Sequence, residues 1–112
     1  MKVLFERLPA DGKQPRLTVG THYLVVGFGD EYVRVLNDAR EPILYPWEYF
    51  SDHIGDMPND WIRRDYADGE FHVDPAECAH IGFYEDYFDG LEEAQQAFQR
   101  ALARIQATAP EQ

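Results

Sequence analysis

The sequence predicts an α+β fold that is mainly β, with strands in the first part of the chain and helices at its end. Short runs rich in β-branched and aromatic residues alternate with Gly, Pro, Asn and Asp in the first part. Towards the C-terminus, apolar residues recur instead at the spacing of an amphipathic helix. The chain has 112 residues, of which 45% are hydrophobic, enough for one modest core. We therefore expect a single domain over residues 1–112, with a barrel-like part at about 1–73 and a helical part at about 74–108.

Four short strands are predicted in the barrel-like part. Their sequences are KVLFERL at 2–8, HYLVVGF at 22–28, YVRVLND at 32–38 and PILY at 42–45. The loop PADGKQP at 9–15, the turn Gly29-Asp30 and a second turn at 38–41 separate them. Pro42 suits a strand start or an edge strand, because it has no N–H to donate to a neighbour. Strands of this length and spacing indicate a small antiparallel barrel or sheet.

The segment after the fourth strand contains weaker signals. PWEYF at 46–50 predicts a 3₁₀ turn, and SDHIGDMPND at 51–60 predicts a loop. Residues 61–66 and 71–73 are expected to pair as a hairpin through the turn Asp68-Gly69. Asp74-Pro75 then predicts an N-cap and first helical position, which would start a short helix ending near Ala79.

The last element is predicted to be an amphipathic helix docked on the sheet. Asp89 is expected to cap its N-terminus, and Glu92 follows three residues later, as in a capping box. The apolar face of this helix comprises Leu91, Ala94, Phe98, Ala101, Leu102 and Ile105.

Charge restricts the class of partner. The 21 acidic residues outweigh the 10 basic ones, for a formal net charge of −11, so a phosphate backbone or an anionic membrane would repel the chain. No Lys or Arg occurs between Arg64 and Arg100. The acidic residues of that interval are Asp65, Asp68, Glu70, Asp74, Glu77, Glu85, Asp86, Asp89, Glu92 and Glu93. The uneven charge is explained either by solubility or by electrostatic steering towards a basic partner.

The sequence also favours a cytoplasmic protein. The single cysteine, Cys78, has no second cysteine with which to form an internal disulfide, as expected in a reducing compartment. The N-terminus has no apolar run of the length of a signal-peptide core, and nowhere do eighteen apolar residues run together. We expect neither a membrane partner nor direct nucleic-acid binding.

Catalytic motifs are missing from the sequence. It contains no G-x-S-x-G, H-E-x-x-H or phosphate-binding loop, and Gly27-Phe28-Gly29 is better explained by a hairpin turn. His72, Asp74, Cys78 and His80 are the only cluster with metal-ligand chemistry, but their spacing matches no familiar zinc motif. We therefore predict a protein that is not an enzyme and has no catalytic residue, cofactor or metal. A metal-dependent enzyme built on that cluster is the weakest alternative.

Two stretches combine aromatic rings with carboxylates, as protein-binding surfaces often do. The first predicted partner-binding set is Tyr84, Glu85, Asp86, Tyr87, Phe88 and Asp89. The second is Tyr45, Trp47, Glu48 and Tyr49. The alternative for both stretches is that the rings belong to the core and the acids only solvate the loops.

The block from Leu17 to Phe50 resembles small bacterial proteins with SH3-like barrels. The matching segments are LTVGTHY, VLNDAREPILYP and WEYF, and PNDW at 58–61 and GFYEDYFDG at 82–90 extend the resemblance to about residues 17–90. It implies an SH3-like antiparallel barrel followed by a short helix and the C-terminal helix. Some proteins of this kind are immunity proteins, which inhibit a bacterial toxin.

The function predicted from these observations is that of an acidic protein-binding module, an immunity-type inhibitor. It would block a basic toxin or effector domain by steric occlusion and charge complementarity, with carboxylates standing where phosphates would bind. The alternative is a small-molecule or peptide-sensing domain that uses the second set of residues as a pocket. The sequence predicts no particular oligomeric state.

Overall fold

The computed structural model describes residues 1–6 and 15–108. These described residues group into two compact units, which divide between Asp56 and Met57. The end of the first predicted strand, at 7–8, and almost all of the predicted loop at 9–15 lie outside the described residues. The single domain over 1–112 stays a prediction.

Five strands are found among the described residues of the first unit. They are β1 (Lys2–Phe5), β2 (His22–Gly29), β3 (Tyr32–Leu36), β4 (Pro42–Pro46) and β5 (Phe50–Ile54), with a 3₁₀ turn (Trp47–Tyr49) between the last two. The four predicted strands and the predicted 3₁₀ turn are confirmed. The prediction of a loop at 51–60 is wrong over the residues of β5. That strand pairs with β1 through its backbone, although its side chains are largely polar, so its sequence carries no strand pattern.

All pairings among these five strands are antiparallel, in the order β4-β3-β2-β1-β5. The long strand β2 pairs with β1 through its first half and with β3 through its second half. A register shift between Val25 and Gly27 separates the two halves, and such bulges bend a strand. The order ends at β4 and β5 and does not close on itself. Over the described residues the fold is thus α+β and mainly β, and the SH3-like barrel that the resemblance implies is not confirmed, because the sheet does not close.

Alternation along β3 shows how the sequence builds the core of this unit. Val33 and Val35 are fully buried, while Tyr32 is exposed and Arg34 is half-buried on the opposite face. The Arg34 guanidinium donates a hydrogen bond to the backbone carbonyl of Pro42 at 2.7 Å. Arg34 belongs to a largely hydrophobic strand, but its side chain lies on the face opposite the core and forms a hydrogen bond there.

The second unit begins with a hairpin and ends with helices. Strands β6 (Ile62–Asp65) and β7 (Phe71–Asp74) pair antiparallel, which confirms the predicted hairpin. A 3₁₀ turn (Ala76–Cys78), helix α1 (Phe83–Phe88) and helix α2 (Glu92–Thr108) follow. Among the described residues, none of the helices combines the length and apolar character needed to cross a membrane.

Two predicted helix starts in this unit are wrong. Asp74 is the last residue of β7, and Pro75 precedes a single 3₁₀ turn without a side-chain cap. Asp89 ends α1 instead of starting α2, because its N–H donates to carbonyls of that helix. Gly90, with a φ of 85°, then redirects the chain, as the left-handed region permits most readily for glycine.

The predicted stripe of α2 is confirmed except at its first residue. Ala94, Phe98, Ala101, Leu102 and Ile105 are all buried. Leu91 is 49% exposed, since it lies before the first turn and its carbonyl accepts from the N–H of Gln95.

Candidate functional site

The four aromatic side chains of helix α1 are buried to different extents. Phe83 is 1% exposed, Tyr84 and Tyr87 are half-buried, and Phe88 is 47% exposed. Gly82, with a φ of 84°, precedes the helix, and its carbonyl accepts from the N–H of Asp86. The six residues of α1 therefore place one ring in the core and one in solvent.

Ring contacts with Phe98 dock α1 on α2. The Phe98 ring lies 5.2 Å from that of Tyr87 and 6.4 Å from that of Tyr84, both edge-on. Such aromatic pairs stabilise by about 0.5–1.5 kcal/mol beyond the area they bury. The Phe88 ring lies 5.0 Å from that of Tyr87 and 6.5 Å from that of Tyr84, and it forms no ring contact with Phe98 among the residues described. The tyrosines are therefore committed to packing, whereas Phe88 presents much of its ring to solvent.

Acidic residues precede and follow the exposed Phe88 in the sequence. Glu85 and Asp89 are exposed, Asp86 is half-buried, and Glu92 and Glu93 are exposed in the first turn of α2. Hydrogen bonds from the N–H of Leu91 to the Asp86 carbonyl (3.0 Å) and from Gly90 to the Tyr87 carbonyl hold the junction between the helices. We call the following residues the α1–α2 surface: Glu85, Asp86, Phe88, Asp89, Leu91, Glu92 and Glu93.

A groove of about 580 Å³ runs beside this surface. It is lined by Tyr87, Glu92, Gln95, Gln96, Gln99 and Arg100. The Gln95 amide donates to the Tyr87 carbonyl at 3.4 Å, and the Gln96 amide donates to the Glu92 carboxylate at 2.9 Å. Apart from Tyr87, every lining residue has an amide or a charged group at the end of its side chain.

Arg104 holds α2 to the rest of the second unit. Its guanidinium forms ion pairs with Glu77 and with Asp60, and its Nε donates to Glu77 Oε2 at 3.2 Å. This hydrogen bond lowers the pKa of the Glu77 carboxyl below its usual value of 4.5 and raises the pKa of Arg104. Helix α2 is therefore fixed at a polar contact as well as at its apolar stripe.

The second predicted set lies in the first unit and is used mainly for packing. Tyr45 is buried, and its ring lies 6.3 Å from that of Tyr49, which in turn lies 6.2 Å from that of Phe5. Trp47 is half-buried, and its indole N–H donates to the Gly29 carbonyl at 2.9 Å. Glu48 is exposed. The three rings thus brace the 3₁₀ turn against the strands.

Sequence reasoning missed a polar network in the same unit. The Tyr23 hydroxyl accepts from the N–H of Thr18 at 2.6 Å and donates to Asp38 Oδ1 at 2.7 Å. The Thr18 hydroxyl donates to the other oxygen of Asp38 at 2.9 Å. Burial is the main cause that raises the pKa of Tyr23. These residues belong to the segments LTVGTHY and VLND, so the signal was present in the motif that carries the resemblance.

The candidate metal-ligating residues have other surroundings. Cys78 is buried, the His72 ring packs edge-on to Tyr66 at 5.3 Å, and the His80 ring packs edge-on to Phe83 at 5.3 Å. Within the described ranges, 1–6 and 15–108, no three His, Cys, Asp or Glu side chains are arranged to hold a metal ion.

Comparison of the chain with protein-family models, with curated proteins and with solved structures finds no match.

Proposed function

We propose that this chain is an acidic protein-binding module whose α1–α2 surface contacts a basic partner protein. The observation that carries the proposal is the exposure of Phe88, 47% accessible, on a helix whose neighbouring Glu85 and Asp89 are also exposed. Aromatic residues are enriched in protein interfaces, which have a polar rim. The second predicted set is a weaker candidate for the partner-binding surface, because its residues Tyr45 and Tyr49 already pack against each other.

The two kinds of side chain on this surface would act at different stages of binding. Carboxylates accelerate encounter with a basic protein through long-range attraction, which salt screens. Phe88 and Leu91 would bury apolar area once contact is made, and so lengthen the life of the complex. Residues 65–99 include no Lys or Arg, so no lysine or arginine in this range weakens the attraction to a basic partner.

An immunity-type inhibitor is the form of this function that we favour. Support comes from the sequence resemblance together with the strand order β4-β3-β2-β1-β5, the pairing of β2 with both β1 and β3, and the 3₁₀ turn before β5. These features suit an SH3-like arrangement, although the strands do not close. The inhibitor would occlude the active site of a basic toxin, with carboxylates where phosphates bind, and would itself catalyse nothing.

The experiment measures association with the product of the gene adjoining the one that encodes this chain. Glu85→Gln, Asp86→Asn and Asp89→Asn are combined, which removes three negative charges with little change of shape. We expect the association rate to fall at low ionic strength and the difference to shrink at high salt. Phe88→Ala should instead raise the dissociation rate.

A matched control removes three charges elsewhere. Asp30→Asn, Glu31→Gln and Asp52→Asn change exposed residues of the first unit and leave the α1–α2 surface intact. An association rate at low salt that is equal in wild type and the first triple variant would overturn the electrostatic part of the proposal. Equal losses in the two triple variants would show net charge to be responsible instead of this surface.

A further inference from the structure

The groove beside the α1–α2 surface has opposite charges at its two ends. Glu92, Gln96 and Arg100 follow one another at intervals of four residues along α2. A rise of 1.5 Å per residue separates the first and last of them by about 12 Å along the helix axis. The ring of Tyr87 and the amides of Gln95 and Gln99 complete the lining.

The side chains at these positions are available to a ligand. Arg100 is exposed and, among the residues described, forms no ion pair, whereas Arg104 one turn later is held by Glu77 and Asp60. Glu92 is exposed and accepts one amide hydrogen bond, which leaves further acceptor capacity on its carboxylate. Each glutamine amide between them both donates and accepts, as a peptide backbone does.

We propose that the groove binds an extended peptide segment that carries a cation and a carboxylate about 12 Å apart. In an extended chain the side chains of residues i and i+4 lie on one face about 13 Å apart, close to the separation along α2. The cation would meet Glu92, the carboxylate would meet Arg100, and an apolar side chain at i+2 would contact Tyr87. A volume of about 580 Å³ lies within the usual range of ligand sites.

This inference rests on the proposed function and narrows the partner. A partner segment with cations alone would bring like charge to Arg100, at a cost similar to the gain at Glu92. The segment recognised in the groove is therefore of mixed charge, even though the partner as a whole is basic.

The test titrates isotopically labelled full-length protein with blocked pentapeptides and follows backbone amide resonances of residues 87 and 92–100 by NMR. The mixed-charge probes are acetyl-Lys-Gly-Leu-Gly-Glu-amide and its reversed sequence. The comparison probes replace both charged residues by Gln or by Lys. We expect saturable shifts with at least one mixed-charge probe, and dissociation constants about threefold lower than for either comparison probe.

Two variants then assign the ends of the groove. Arg100→Gln should abolish the preference for mixed charge over the lysine probe. Glu92→Arg combined with Arg100→Glu should exchange the order of preference between the two mixed-charge probes. Both positions are exposed on a helix and all the new residues are good helix formers, so circular dichroism should show unchanged folding.

Absence of saturable shifts, or equal binding of all four probes, would overturn the inference. Retention of the preferred order in the double variant would overturn it as well. The outcome is separable from that of the proposed function, because the triple variant at 85, 86 and 89 leaves every groove residue in place. Peptide binding without an effect of that triple variant on the partner would refute only the α1–α2 surface.

Discussion

The Tyr45 hydroxyl accepts a hydrogen bond from Asn37 Nδ2 at 3.1 Å and donates one to the Pro15 carbonyl. On its other side, Asn37 Oδ1 accepts from the N–H groups of Ala39 and Glu41, both at 3.0 Å. Asn37 is 5% exposed, so these bonds satisfy an amide that has little access to water. One side chain thus joins β4 to the turn that precedes it.

Replacing Asn37 with Ala should lower the free energy of unfolding by about 2–3 kcal/mol. The substitution leaves the Ala39 and Glu41 N–H groups and the Tyr45 hydroxyl without their side-chain partner, and each lost hydrogen bond of this kind costs about 0.5–1.5 kcal/mol. Urea denaturation of both proteins measures the difference. The control Glu48→Ala changes an exposed residue and should alter stability by less than about 0.5 kcal/mol. Equal stability of the Asn37 variant and this control would refute the role of the network.

The different burial of two phenylalanines of α1, five residues apart, predicts losses of stability of very different size when each is replaced by alanine. Phe83→Ala should destabilise the protein by about 3–5 kcal/mol, because it removes a ring that is 1% exposed and leaves a cavity. Phe88→Ala should change stability far less, because that ring is already 47% exposed. Thermal unfolding of the two variants provides the measurement. A large loss of stability in Phe88→Ala would show that its ring is structural and would weaken its assignment to the binding surface.

The ion pair between Glu77 and Arg104 predicts a specific dependence of stability on pH. Since the folded state lowers the pKa of Glu77 below 4.5, the unfolded chain binds this proton more readily. The pair therefore stabilises the fold above about pH 4.5 and loses this contribution as pH falls through the lower, folded-state pKa.

Glu77→Gln should accordingly be less stable than wild type at pH 7, by about 1 kcal/mol, and nearly equal to it in strong acid. Denaturant midpoints between pH 2 and pH 7 measure the convergence. Glu93→Gln, which removes a negative charge from an exposed residue of α2, serves as the control, and its loss of stability at pH 7 should be smaller than that of Glu77→Gln. A Glu77→Gln difference that is independent of pH would contradict the assignment.

The strands and helices whose apolar residues recur at a regular spacing were predictable from the sequence. β2, β3 and β4, the hairpin of β6 and β7, and the buried stripe of α2 all follow the apolar pattern of the sequence. Strand β5 was not predictable in this way, since residues such as Asp52 and His53 are exposed and its backbone pairing with β1 is a long-range contact. Asp89 was misassigned because its backbone N–H completes the hydrogen bonds of α1, which the N-cap preference of aspartate does not reveal.

The candidate site was predictable in position but not in detail. The sequence identifies the stretch from Tyr84 to Asp89 as aromatic and acidic, and spacing alone shows which rings share a helix face. It does not say which face meets Phe98, and that contact decides that Tyr87 packs while Phe88 is exposed. Nothing in the sequence around Gln96 and Arg100 indicates a binding site. They become candidate binding residues only because the structure places both in the lining of one groove.

By itself the sequence determined the fold class, most strands, the C-terminal helix and the concentration of negative charge after Arg64. These are local properties, because periodicity, turn residues and charge depend on a few neighbouring positions. Only the tertiary structure decided that Tyr45 is buried against Asn37, that Asp89 ends α1, and that Glu92 and Arg100 face one groove. Those outcomes depend on contacts between different elements of the structure, and these contacts form only when the chain packs.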